Sequence, residues 1–386
     1  MQDTVTRDAV ATAAGLASLI VSAREEAEAM RCTPPRVVEA LAAAGLLQMF
    51  LPRSLGGAEL PPLAAFHAIE ELSKADGSVG WCTMIATVLS QFTGWLDPGV
   101  ARAMVGTPAD FRAAGSLRPQ GQAREVDGGY RVSGRWNFAS GVTYAKWLYC
   151  TCRVMDGDAP RLTPTGAPLT RAAWVPVTSA RIEDTWSVVG LRATGSHDFV
   201  IDDVFVDNAY TSSFAEPAFE PNQLYSSRLF FVTLWVIVAA NALGIARGAI
   251  DAFIELAGRS STSSPVPLRD RAAVQSRVAE AEAILGAARA FVLNTVAAVW
   301  DGAGGADPSL AIAQARLAIT HAIHEAVRAV DVVFHAAGTN AIYSANPLER
   351  HFRDVHVVVQ HNAAFAVHYA SAGKVLLGLR PSDPGW

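Results

Sequence analysis

Between residues 8 and 106 apolar positions recur at three- and four-residue spacing in an alanine-rich background. Turn signals cut this run at Thr33-Pro34-Pro35, Pro52 to Gly57, Pro61-Pro62 and Asp76-Gly77, so the pattern predicts four or five helices. From about 110 to 210 the period shortens. VDGGYRVSGRW sets Asp-Gly-Gly between two extended pieces, and WLYCTCRV, RAAWVPV and SHDFVIDDVFV follow as short alternating or apolar runs. These predict an antiparallel β domain. From Asn222 to Leu377 the helical spacing returns in about four long pieces, separated by SSTSSPVP, DGAGGADPS and GTNAIYSANP, which pack most economically as an up-down bundle. The expected class is α+β, mainly α: a helical domain over 1–108, a β domain over 109–215 and a four-helix bundle over 216–386. No internal repeat or low-complexity tract interrupts this plan.

One segment, Leu229 to Ala246, is long and apolar enough to cross a bilayer. Its helical pattern runs on through ARGAIDAFIELAG without flanking anchors and contains Asn241, so a buried helix of a large bundle is expected instead. The net charge of −5, from 31 basic and 36 acidic residues with no basic block, leaves no electrostatic footprint for nucleic acid or an anionic membrane. A small-molecule enzyme fits better. The four cysteines are scattered; Cys150 and Cys152 lie two apart in a strand-like run and point to one face, which predicts reduced thiols in a cytoplasmic protein. The first residues carry Asp3 and Asp8 and no basic-then-apolar run, so no signal peptide is expected.

Several stretches carry candidate chemistry. In Gly134-Arg-Trp-Asn-Phe-Ala-Ser-Gly141 a strand leaves a tight turn and ends at Ser140-Gly141, where glycine lets the backbone approach a ligand. Gly190-Leu-Arg-Ala-Thr-Gly-Ser-His-Asp198 is a loop with two glycines and several polar side chains entering a strand. Arg259-Ser-Ser-Thr-Ser263 follows the long apolar helix and Ala337-Gly-Thr-Asn340 precedes the last piece; an arginine with hydroxyls at a helix end can hold a phosphate. The segment RHFRDVHVVVQHN, Arg350 to Asn362, is rich in histidine. On one helix His351, His356 and His361 would step by about 140° each and share no face. His361 and His368 would share a face, but about 10 Å apart, too far for one metal ion. No metal site is expected.

Taken together, the order of elements and these motifs resemble the acyl-CoA dehydrogenase superfamily over nearly the whole chain, and within it the flavin-dependent monooxygenase branch, the oxygenase components of two-component aromatic hydroxylases. The resemblance implies a flavin between the β domain and the bundle, and a homotetramer. It places Ser140 beside the C4a–N5 edge of the flavin, with Trp136 and Phe138 in the same motif, and makes Arg192, Thr194 and Ser196 cofactor contacts. His197 is expected to be structural. Arg259 and Asn340 match positions that bind the flavin phosphates, partly across a subunit interface. Aligned on Arg353-Asp354, the carboxylate that dehydrogenases use as base is replaced by Asn362, which has no lone pair suited to a C–H proton. The neighbouring His361 matches a histidine near flavin and substrate; with a pKa near neutrality it would deprotonate a phenol or hydrogen-bond the distal peroxide oxygen. His351 and His356 are expected to be structural. Asp76-Gly-Ser-Val-Gly-Trp81 also matches the branch, but the histidine that often follows it is absent, with only Ser90 and Gln91 as polar residues nearby.

No Walker-type loop or well-placed G-x-G-x-x-G marks a nicotinamide site. The expectation is therefore a monooxygenase that takes reduced FMN or FAD from a separate reductase, forms a C4a-peroxyflavin with O2, and oxidises an aromatic or polyketide-like small molecule. The alternatives are an acyl-CoA dehydrogenase-like FAD enzyme with a relocated base, for example Glu255, and a non-catalytic member of the superfamily.

Overall fold

A computed structural model describes residues 2–258, 266–302 and 308–380. The N-terminal helices are α1 (Gln2–Gly15), α2 (Ala17–Ser22), α3 (Arg24–Met30), α4 (Pro35–Ala43), α5 (Pro62–Ala75), α6 (Gly77–Gln91) and α7 (Pro98–Val105). Prolines open α4, α5 and α7, where a fixed φ and a missing N–H suit the first helical position. Asp76 starts α6 by accepting the Val79 N–H at 3.0 Å.

The middle of the chain is a sheet of β1 (Ala113–Val126), β2 (Gly129–Trp136), β3 (Trp147–Asp156), β4 (Ala159–Pro160), β5 (Thr170–Pro176), β6 (Arg181–Glu183), β7 (Asp198–Asp207) and β8 (Thr211–Ser212). The strand order is β6-β7-β2-β1-β3-β5-β8, with β4 paired to β3. Pairing is antiparallel except for β1 with β3. The reason is the path of the chain: β2 folds back on one edge of β1, and β3 then starts on the other edge. The connection over 137–146 must therefore pass across β1, and that crossing carries Ser140.

Trp136 belongs to the core behind this crossing. A Cβ at Gly121 would stand 2.0 Å from its ring, and one at Gly134 would stand 2.6 Å from the Gly121 Cα, so two facing glycines make the space the indole fills. The ring stacks on Phe199 at 5.1 Å, its N–H donates to the Thr151 carbonyl at 2.8 Å, and it is fully buried. The resemblance put Trp136 among cofactor contacts; the structure corrects this, because no face of the ring is left for a ligand.

The C-terminal part contains α8 (Phe230–Gly258), α9 (Ala272–Asp301), α10 (Ser309–Ala337), α11 (Pro347–Val358) and α12 (Val367–Leu376). Helix α8 is the buried helix expected: 89% of its most apolar window is inside the protein. Asn241 within it donates to Ser73 Oγ at 2.8 Å and to the Gly77 carbonyl at 3.0 Å, which ties α8 to the α5–α6 corner. The last piece is not one helix. It stops at Val358, makes a short 3-10 turn at Asn362–Ala364 and restarts at Val367. Bonds from α10 and α12 hold the break open: Thr320 Oγ1 donates to the Ala363 carbonyl at 2.7 Å, and the ring Nε2 atoms of His324 and His368 lie 2.8 Å from the Ala364 and Asn362 carbonyls. His361 and His368 thus do not share a helix face.

Candidate active site

The crossing segment and the loop before β7 are zipped together by backbone. Gly141 N–H donates to the Thr194 carbonyl at 2.9 Å and Ala139 N–H to the His197 carbonyl at 3.3 Å. Both loops are held in left-handed backbone at non-glycine residues, Phe138 with φ 62° and Leu191 with φ 51°. Such conformations persist only where the surroundings fix them. For Leu191 the fixing groups come from α11: its N–H donates to Asp354 Oδ1 at 2.6 Å, Arg353 donates to the Val189 carbonyl at 2.7 Å, and a Cβ on Gly190 would meet the Arg353 carbonyl oxygen at 2.3 Å.

Between the loops Ser140, Ser196 and Thr194 form a buried row of hydroxyls. Ser140 Oγ is 2.7 Å from Ser196 Oγ, Ser196 Oγ is 2.7 Å from Thr194 Oγ1, and Thr194 donates to the Leu191 carbonyl at 2.9 Å. Trp81, from α6, donates its indole N–H to Ser140 at 3.0 Å. The other side of that indole meets His361 edge-on at 5.5 Å. Trp81 is therefore the piece that joins Ser140 to His361. The sequence contained its motif, Asp76 to Trp81, but nothing in it said where the ring points. Beside Trp81, the Cys82 thiol contacts the Thr194 carbonyl at 3.5 Å, and burial pushes its pKa up to about 12.

His361 caps the 3-10 turn: its Nδ1 accepts the Ala363 N–H at 3.3 Å, which puts the ring proton on Nε2. Burial, then Arg118 and His368, push its pKa down to about 4. The expected near-neutral pKa is corrected accordingly. The ring is a neutral donor through Nε2, and its basic lone pair is turned to a backbone amide. Arg118, from β1, stacks over Phe138 with its guanidinium carbon 4.7 Å from the ring centre. Phe138 is half exposed and also meets Trp186 edge-on at 6.2 Å. Sequence reasoning missed Arg118, since nothing local distinguishes it from other surface arginines.

The remaining described candidates make other contacts. Arg192 lies next to Thr194 but its Nε pairs with Glu28 at 3.0 Å, and it donates to the Val188 carbonyl at 3.3 Å, so it clamps the loop to α3. Asn340 sits in an exposed turn and donates to the Ala337 carbonyl at 3.1 Å. Arg259 lies outside the described residues. Ser90 and Gln91 are fully buried; Ser90 donates to the Thr87 carbonyl and Gln91 to the Leu224 carbonyl, which leaves Gln91 Oε1 without a partner among the described residues. His197 accepts the Trp186 N–H at 3.2 Å, and His356 bonds to the Phe352 carbonyl at 2.7 Å. Glu255 lines a surface cavity with Tyr343 and Asn346 that includes none of Ser140, Trp81 or His361. No cluster of metal-ligating side chains occurs among the described residues.

Comparison with known proteins is consistent with this geometry. Residues 7–93 match the family model "acyl-CoA dehydrogenase, N-terminal domain" and residues 236–365 match "acyl-CoA dehydrogenase, C-terminal domain". An indole-3-acetate monooxygenase of Pseudomonas putida is 34% identical, over 91% of this chain and 88% of that protein. The chain belongs to the acyl-CoA dehydrogenase superfamily, in its flavin-dependent monooxygenase branch. Another member of the branch, the oxygenase subunit HsaA of a flavin-dependent monooxygenase from Rhodococcus jostii, is 29% identical over 88% of this chain and 90% of its own. The crystal structure of the 3-HSA hydroxylase from Rhodococcus sp. RHA1 superposes with a TM-score of 0.89 at 27% identity, covering 98% of this chain and 99% of that one.

The residues present fit the flavin that this branch uses. The row of hydroxyls and the half-exposed Phe138 ring lie in one place. The buried Asn137 Oδ1 in the same turn has no partner among the described residues, which leaves an acceptor for a ring N–H.

Proposed function

We propose that the protein is the oxygenase component of a two-component monooxygenase: it takes reduced FMN or FAD from a separate reductase and, with O2, hydroxylates an aromatic small molecule. The observation that carries this reading is the Trp81 indole, which brings the Ser140 hydroxyl and the His361 imidazole to one place from three distant parts of the chain. Reduced flavin, when bound, would supply the activation of O2, which the resemblance assigns to its C4a carbon. Around it Ser140 would hold the N5 side, His361 would present a neutral N–H donor, and the Trp81 and Phe138 rings would lend apolar surface. Asn362 in place of a carboxylate, and Glu255 in a separate cavity, weigh against dehydrogenation. Arg259 and Asn340 are assigned to the flavin phosphates on resemblance. Helix α9 supports a homotetramer: it is as apolar as a membrane span, yet only 33% of its most apolar window is buried, a face that other copies of the chain would cover. Sedimentation at four chain masses agrees with this, and a monomer removes it. The free thiols suit the cytoplasm.

The deciding experiment mixes the protein, loaded anaerobically with reduced FMN or FAD, with oxygenated buffer and follows absorbance. An oxygen adduct that outlives the free-flavin reaction supports an oxygenase. Return straight to oxidised flavin sinks it in favour of the dehydrogenase reading.

Arg118 narrows the substrate. Among the described residues no carboxylate pairs with its guanidinium, which lies over Phe138 and bears on His361. A relative is named for indole-3-acetate, and an aromatic carboxylic acid would pair its carboxylate here. Arg118→Met is expected to weaken binding of indole-3-acetate by about tenfold or more, the scale of one charged hydrogen bond, and to leave 3-methylindole unaffected. Tryptophan-fluorescence titration of both ligands reads this. Equal weakening of the two removes the assignment.

A further inference from the structure

The hydroxyl row has a direction, because a hydroxyl has one proton to give. Thr194 Oγ1 is 2.9 Å from the Leu191 carbonyl oxygen, which can only accept, so the Thr194 proton is used there. The 2.7 Å contact between Ser196 and Thr194 then requires the proton of Ser196. The 2.7 Å contact between Ser140 and Ser196 in turn requires that of Ser140. At the other end the Trp81 N–H, a donor only, is directed at Ser140 Oγ. Protons thus point one way, from Trp81 through Ser140, Ser196 and Thr194 to the Leu191 carbonyl. Each of the three hydroxyl residues is at most 4% exposed, so solvent offers no other partner that would turn the row round. The carbonyl that ends it is held in place by Asp354, through the Leu191 N–H.

We infer that this one-way row makes Ser140 an acceptor toward the cofactor and so selects reduced over oxidised flavin. N5 of an oxidised flavin carries a lone pair and needs a donor. N5 of a reduced flavin carries a hydrogen and needs an acceptor. Ser140 has spent its proton on Ser196 and keeps a lone pair, which matches the second case. The inference rests on the flavin reading above and on Ser140 facing N5. Thr194 and Ser196 act as positioning residues through Ser140. Such a site takes up the form a reductase delivers and releases the form a reductase needs back.

The test compares dissociation constants for oxidised and dithionite-reduced FMN and FAD, by fluorescence titration under anaerobic conditions, and the potential of the bound flavin. Thr194→Val fills the same space without the oxygen. Ser196 then turns its proton to Ser140, and Ser140 gains one for the ligand. The ratio of oxidised to reduced dissociation constants is expected to fall about tenfold, the scale of one hydrogen bond, with the bound potential lower by about 30 mV for a two-electron couple. Thr194→Ser, which keeps the hydroxyl, retains the wild-type ratio and potential. A Thr194→Val protein that melts like wild type and binds flavin with an unchanged ratio overturns the inference and leaves the flavin reading standing. Wild-type protein that binds neither flavin overturns that reading, and the inference with it.

Discussion

His361→Ala is expected to lower the rate of substrate oxidation by about 10²–10³-fold, the usual loss when one preorganised donor is removed from a closed site, while the protein stays folded and binds flavin. The expectation follows from the tautomer. With Nδ1 accepting the Ala363 N–H, the ring has one proton, on Nε2, and that N–H is the group available to a reacting oxygen. Its pH dependence has a definite sign. The folded pKa lies at about 4, below the ordinary histidine value, so the ring is neutral at every pH above about 5 and no histidine limb appears in the rate between pH 6 and 8. As pH falls through about 4 the ring gains a proton on Nδ1, loses the Ala363 contact and the turn opens. Steady-state product formation, measured from pH 5 to 8 for wild type and variant, checks both parts. A wild-type rate that rises tenfold per pH unit below pH 7 would mean His361 acts as the base, against the hydrogen bond described here.

Asp354→Ala is expected to destabilise the protein measurably, and Asp354→Asn much less. Asp354 is buried beside Asp76, with Arg353, Glu28, Arg24 and Arg350 around it and His351 in the same cluster. The alanine variant leaves the buried Leu191 N–H unpaired, which costs about 1–3 kcal/mol; no favourable ion pair is lost with it, since the fold already disfavours the ionised carboxyl. A fall in Tm of about 1–4 °C follows for a chain of this size. Asparagine keeps an oxygen for Leu191. Burial, then Asp76, raise the Asp354 pKa to about 7. An acid whose folded pKa is raised binds its proton more tightly folded than unfolded, so its contribution is complete below about pH 4 and is lost as pH climbs to about 7. His351, with its pKa pushed down to about 3 by burial, Arg24 and Arg350, works in the opposite direction: its contribution is lost as pH falls below about 6.5. The difference between Asp354→Asn and wild type isolates the first effect. Denaturant melts are expected to show that difference moving in favour of the variant from pH 5 to 7 and levelling above. A constant difference would take the titration away from Asp354.

Local pattern was enough for α4 and α5, which start at the Pro34-Pro35 and Pro61-Pro62 signals, and for α8, whose helical pattern runs on past its apolar stretch without flanking anchors and contains Asn241. The motifs that hold Ser140, Thr194 and Ser196 showed locally only as turn signals at strand ends; that they serve one site was implied by the resemblance to the superfamily. What local pattern could not contain is what distant groups impose. The break after Val358 has no glycine or proline to announce it; it is made by Thr320 and His324 reaching the carbonyls of Ala363 and Ala364 from α10. The parallel pairing of β1 with β3 depends on where a connection crosses, which alternation does not encode. Trp136 shares a motif with Ser140 yet faces away, because Gly121 on the neighbouring strand leaves the only space for its ring. The pKa of His361 is set by burial and by an arginine some 240 positions earlier in the chain, information absent from any local window.

The Cys82 thiol on the Thr194 carbonyl bears on how long such a protein lasts at work. Reduced flavin and oxygen together leak hydrogen peroxide, and peroxide attacks thiolates far faster than thiols. With a pKa of about 12, Cys82 is a thiolate in about one molecule in 10⁵ at pH 7. Cys152, raised to about 12 by the same burial, matches it, and Cys150 is pushed up in the same direction. The Cys82 sulfur beside the hydroxyl row is thus chemically quiet toward peroxide.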